Sequence, residues 1–202
     1  MTRVLPSLAL AAGIAGGTPA ALSAQWGVSL EVQRTAFGGT SRDTATDGTH
    51  GSFRPAGALA VTARADRRIG RLSVGVGIRY VRAAVLLDGP DVFIGVQDDF
   101  AAFEAMPEIR VRIARSSTGA SLHGYAGPVI GIWTFSNLGT RAVPGAMGGI
   151  AGSFPVMDRL TFWVRVGGGM TRSVFRDQEL PPEFRRYPTR RIEFSIGVRY
   201  GR

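Results

Sequence analysis

The chain has 202 residues, 45% of them hydrophobic, and a formal net charge of +9. That length fits one domain with a full core. The absence of cysteine excludes a disulfide framework and thiolate metal sites. Only His50 and His123 are present, far apart in sequence, so little is left for imidazole metal chemistry and no metal or other cofactor is expected. All 24 basic residues are arginine. They are spread along the chain, many at alternating positions, which points away from nucleic acid and toward an anionic lipid leaflet.

Residues 1–24 read as a cleaved secretory signal peptide. Arg3 supplies the positive start, Val4 to Gly17 the apolar stretch, and Thr18 to Ala24 the small-residue cleavage region. The apolar stretch is shorter than the roughly 20 residues of a spanning helix and contains Pro6 and several glycines. The domain expected to fold is 25–202.

From Gln25 onward the chain alternates with a period of two, the mark of strands with unlike faces. Eight segments are expected. The first, Trp26 to Thr35, sets Val28, Leu30 and Val32 against Ser29, Glu31 and Gln33. The second, Ala56 to Asp66, sets Leu59, Val61 and Ala63 against Thr62, Arg64 and Asp66. The third starts at Leu72 and alternates through Tyr80, but its parity slips after Val81, which reads as the membrane edge or a bulge. The fourth, Phe103 to Ala114, carries Glu104, Glu108, Arg110 and Arg112 on one face. The fifth, Leu122 to Phe135, and the sixth, Ala142 to Phe154, are too rich in glycine and alanine to fix a parity. The seventh sets Leu160, Phe162, Val164 and Val166 against Thr161, Trp163, Arg165, Gly167 and Gly169. The eighth, Arg191 to Tyr200, alternates throughout, with Ile192, Phe194, Ile196, Val198 and Tyr200 on one face.

The connections alternate too. Asp66 to Arg71, Arg115 to Gly119 and Pro155 to Arg159 are short. Gly38 to Arg54, Leu87 to Asp99, Ser136 to Arg141 and Arg176 to Pro188 are mostly longer and rich in Asp, Pro and Gly. Short turns on one side, longer loops on the other and an even strand count describe a transmembrane barrel whose termini share the periplasmic side. The fold expected is all-β: an eight-stranded antiparallel up-and-down transmembrane β-barrel, monomeric, with its apolar face outward. Aromatics near strand ends (Trp26, Phe37, Tyr80, Phe100, Phe103, Phe154, Phe175, Tyr187 and Tyr200) read as interfacial girdles.

This pattern resembles the small outer-membrane β-barrel superfamily, to which the transmembrane domain of outer membrane protein A and outer membrane protein X belong. The resemblance covers Gln25 to Arg202. It implies location in the cell outer membrane, contact with outer-membrane lipid and lipopolysaccharide, and a last strand read by the barrel-insertion machinery. Gly201 and Arg202 follow the aromatic that normally ends such a chain.

The interior of an eight-stranded barrel is filled by its own side chains. Charges placed there must pair. Glu31, Glu108, Arg110 and Arg165 fall near mid-strand and are expected to form a central ion-pair network. Arg185, Arg186 and Arg190 cluster near the last outer loop and are candidates for lipopolysaccharide phosphates. No enzyme is expected. The role indicated is envelope structure, surface interaction or limited passage of small solutes. Two rivals stay open: a soluble lipocalin-like binding barrel with its apolar face inside, and a lipid A-modifying enzyme using His50 with Ser52, Thr49 and Asp47.

Overall fold

The computed structural model describes residues 25–38, 41–43, 52–88, 93–135, 139–180, 182 and 184–201. The segment read as a signal peptide lies outside them, as does His50. Eight long antiparallel strands form a closed ring: β1 (Gln25–Phe37), β4 (Ala58–Ile69), β5 (Leu72–Asp88), β6 (Phe93–Arg115), β7 (Ser121–Phe135), β8 (Gly139–Met157), β9 (Leu160–Thr171) and β11 (Thr189–Gly201). Each pairs with its neighbour in sequence, β11 pairs with β1, and β5 with β6 completes the circle. Three short strands, β2 (Ser41–Asp43), β3 (Ser52–Pro55) and β10 (Phe184–Arg186), extend the sheet beyond one rim by way of β5. No described helix is long and apolar enough to cross a membrane.

The start of β1 at Gln25, the end of β11 at Gly201 and the short turns lie at one end, here the turn end; the opposite rim is the loop end. Alternation dictates which face goes where. Val28, Leu30, Val61, Val76, Ile109, Ile130, Ile150, Val166 and Ile196 all point outward and are about half exposed. The alternate positions, Glu31, Arg64, Arg79, Glu104, Glu108, Arg165 and Glu193, are buried inside. Several long interior side chains stand across the ladder from a glycine: Arg64 from Gly77, Glu108 from Gly75, Arg191 from Gly169 and Glu193 from Gly167. This interlock of large and small residues fills a narrow bore.

The structure corrects the sequence reading in three places. The chain from Phe93 to Asp99, read as loop, is strand, pairing with the end of β5 beyond a bulge between Ala83 and Val85. The connections at 89–92 and 136–138 are therefore short rather than long. From Val81 to Ala83 the parity holds while the chemistry inverts, and the bulge allowed by the sequence reading follows between Ala83 and Val85. Val81 and Ala83 continue the inward face while Arg82 faces out. Phe37, Phe100 and Phe175 are not girdle residues, because they are buried inside the loop end; Trp26, Tyr80, Phe103, Phe154, Tyr187 and Tyr200 are exposed outside. The glycine-rich strands also acquire a parity: His123, Tyr125, Val129, Trp133 and Phe135 of β7 face in, as do Arg141, Val143, Met147, Ala151 and Ser153 of β8.

Candidate functional site

The barrel interior is built in layers. At the loop end an apolar layer gathers Phe37, Ala60, Val81, Phe100, Ala102, Trp133, Phe135 and Val143. Phe100 stacks on Trp133 with ring centres 4.8 Å apart, and Phe37 meets both edge-on. Val174 and Phe175, from the chain after β9, are buried in the same layer. Arg141 anchors that chain. Its Nη1 donates to the Val174 carbonyl at 2.6 Å, and its two Nη groups grip the Glu179 carboxylate at 2.6 and 2.9 Å. Burial alone would raise the Glu179 carboxyl, but hydrogen bonds from the Arg141 guanidinium and the Arg176 backbone N–H outweigh it and leave it below the usual value.

Beneath the apolar layer lies a first charge cluster. Arg79 pairs with both Glu104 and Glu193. Arg191 Nη1 reaches Glu104 Oε2 at 2.8 Å, and its Nε sits 2.9 Å from Glu193 Oε1 without hydrogen-bond geometry. Two guanidinium groups face two carboxylates, so the cluster is neutral. Gln33 and Thr62 separate it from the next, joined by a 3.3 Å hydrogen bond from Thr62 Oγ1 to Gln33 Oε1.

The second cluster is again two against two. Arg64 Nε lies 3.1 Å from Glu31 Oε1 and its Nη1 3.2 Å from Glu108 Oε2. Arg165 pairs with Glu108 and approaches Glu31 at 3.8 Å. Ser195 Oγ donates to Glu31 Oε2 at 3.2 Å. Arg165 also lies over the Tyr125 ring, 4.0 Å from its centre. A Cβ at Gly149 or Gly167 would meet the Tyr125 hydroxyl, so bare backbone on β8 and β9 makes room for this ring.

Toward the turn end the balance changes. Arg199 Nε and Nη2 grip Asp66 Oδ1 and Oδ2, both at 3.0 Å, and Arg110 Nη2 lies 3.0 Å from Asp66 Oδ2. Arg110 also stacks 4.5 Å from the Trp163 ring centre. Here two arginines share one carboxylate.

Of the four residues expected to form one central network, Glu31, Glu108 and Arg165 come together, with Arg64 as the fourth member. Arg110 sits one layer lower with Asp66. The signal for Arg64 was its parity with Asp66 on β4. The apolar loop-end layer was missed, yet Phe37 shares the parity of Glu31 and Gln33, and Phe100 that of Glu104. Arg185 and Arg186 lie on β10, exposed, with Arg186 Nε 2.5 Å from Asp177 Oδ1. Arg190 is exposed on β11. Near the turn end His123 Nε2 lies 3.3 Å from Ser153 Oγ, with no carboxylate partner among the described residues. Among the described residues no cluster of carboxylates and histidines could hold a metal.

No protein-family model matches the chain, and no curated protein matches it. Among solved structures, the outer membrane protein OprG from Pseudomonas aeruginosa superimposes with a TM-score of 0.57 at 10% identity, over 89% of this chain and 96% of that one. Neisserial surface protein A superimposes with a TM-score of 0.51 at 13% identity, over 87% of this chain and 96% of that one. At such identities the likeness is one of fold: this chain has the fold of the small outer-membrane barrels.

Proposed function

We propose that the protein is a non-enzymatic, monomeric barrel of the cell outer membrane that serves envelope structure and surface interaction through its loop end. The observation that carries this reading is the polarity of the closed ring. Aliphatic side chains cover the outside, and paired charges fill the inside. A soluble binding barrel needs the reverse, with Val164 inward and Arg165 in water; Arg165 is instead buried between Glu108 and Glu31. The apolar layer and two neutral clusters occupy the bore in succession, which favours structure and surface contact over solute passage.

Lipid surrounds the aliphatic belt in this reading. Arg185, Arg186 and Arg190, exposed near the loop end, suit the phosphates of lipopolysaccharide, since a guanidinium fork matches phosphate oxygens. The outward Ile192, Phe194, Ile196, Val198 and Tyr200 of β11 give the insertion machinery its strand. The test is gel mobility of the unboiled protein from carbonate-washed outer membranes. A mobility shift on boiling supports the membrane barrel. Release by carbonate, with no shift, refutes it and revives the soluble barrel.

A further inference from the structure

The turn end holds a cavity of about 500 Å³ that no part of the proposed role uses. Its walls carry five arginines, Arg68, Arg110, Arg112, Arg115 and Arg199, against two acids, Asp66 and Asp158. Asp66 is already spent on Arg110 and Arg199. Among the described residues, no carboxylate lies within ion-pair distance of Arg68, Arg112 or Arg115. Positive charge is therefore concentrated on a concave wall, the arrangement that focuses a field on an anion.

The floor is built rather than incidental. Asp66 holds Arg199 flat across Gly27, where a Cβ would collide with the guanidinium. Arg110 is held between Asp66 and the Trp163 ring. Two buried donors there, Arg110 Nε and Trp163 Nε1, have no hydrogen-bond partner, and unmet buried donors are costly. Ser73, Ser121 and Ser153 add hydroxyls to the wall.

We propose that this cavity binds a small polyanion bearing phosphoryl groups. Three uncompensated guanidinium groups call for more than one negative charge, and planar forks match phosphoryl oxygens better than a single carboxylate. Above the cavity the neutral charge clusters fill the bore, so it is a cup and not a channel mouth. Its opening toward the periplasm rests on the proposed membrane orientation; its binding chemistry does not.

The test is calorimetric titration of tripolyphosphate into the folded barrel in an uncharged glycoside detergent at low salt. Saturable one-to-one binding that weakens steeply with salt is expected. R112Q and R115Q, near the rim and without a carboxylate partner among the described residues, should each weaken it at least fivefold. Asp158→Asn, which removes a repelling charge in an exposed turn, should tighten it. R185Q and R190Q at the far end should leave it unchanged. Gel mobility before boiling confirms that each variant is folded. Non-saturable binding, or equal losses from the R112Q and R185Q variants, overturns the proposal. A parallel titration in vesicles of phosphatidylcholine with and without phosphatidylglycerol separates the sources. Competition by the anionic lipid marks a headgroup ligand; none marks a soluble one. Failure of carbonate-resistant membrane association would sink the membrane reading while leaving the titration result standing.

Discussion

Replacing Glu108 with glutamine isolates the central cluster, because the side chain keeps its shape and loses its charge. Glu108 receives both Nη groups of Arg165 and one from Arg64, all inside the barrel. Glutamine offers one acceptor oxygen in place of two and turns an amide N–H toward a guanidinium. Two buried arginines are then left with Glu31 alone, which lies 3.1 Å from Arg64 but 3.8 Å from Arg165. Removing one partner of a buried pair costs about 3–5 kcal/mol. With a urea dependence of roughly 2 kcal/mol per molar, the midpoint falls by roughly 1.5–2.5 M. The assay is urea unfolding in detergent, followed by the mobility of the folded band. The double variant Glu108→Leu, Arg165→Leu leaves Arg64 with Glu31 as one neutral pair, and should cost less than Glu108→Gln alone. A midpoint shift below about 0.3 M for the single variant, or a double variant whose loss equals the sum of its singles, would refute the coupled network.

Three further outcomes follow from the same geometry. Gly167→Val places side-chain atoms where the Tyr125 hydroxyl lies, so it should cost about 1–3 kcal/mol in the same urea assay, and its cost should be smaller in a Tyr125→Ala background, where only the Gly148 carbonyl still crowds the new Cβ. Phe175→Ala empties part of the loop-end layer and should cost about 3–5 kcal/mol in the same urea assay; the two charge clusters still fill the bore beneath it, so planar-bilayer recording should show no more conductance than the parent, and larger steps would refute a bore filled in succession. The Glu179 carboxyl is lowered in the folded protein, so its contribution is present above the unfolded value and is lost as pH falls through the folded one. Protease cleavage after Arg176 should therefore quicken below about pH 4.5 but not between pH 6 and 8, and Glu179→Gln should cleave quickly at every pH.

Legibility in the sequence tracked contrast between faces. Where one face is charged, as at Arg64 or Glu193, parity is plain, because a one-residue slip would drive a charge onto the aliphatic outer face. At the loop end both faces are apolar. Ala83, Phe100 and Val143 inside resemble Tyr80, Phe103 and Ile130 outside, so the period of two carries no sign there. That is why three interior phenylalanines read as girdle; the strand from Phe93 to Asp99 read as loop because Asp88, Gly89, Pro90, Asp91, Asp98 and Asp99 give the segment a loop's composition. The glycines of β7 and β8 hid parity for a different reason: glycine is what the structure needs wherever a neighbour such as Tyr125 presses on bare backbone. Pairing partners were harder still. Strands in a barrel are staggered, so Arg110, near mid-strand by counting, meets Asp66 a layer below the cluster it was assigned to.

The distribution of unpaired charge separates the two ends. A net charge in the bore costs several kcal/mol unless water or a counter-ion reaches it. The two clusters that lie between the apolar layer and the turn-end cavity are each two against two, and the residues between them are the neutral Gln33 and Thr62. The surplus begins only at Asp66, where the interior opens into the 500 Å³ cavity. Stability alone would have been served as well by one more carboxylate there, at Ser73 or Ser153, both already on the cavity wall. Introducing it supplies the decisive comparison. If Ser153→Glu raises the urea midpoint and abolishes tripolyphosphate binding, the surplus of arginine is held at a cost in stability, as expected of a binding site. If its midpoint is no higher than that of Ser153→Gln, which has the same bulk and loses the same contact with His123, water already compensates those charges and the surplus needs no ligand to explain it.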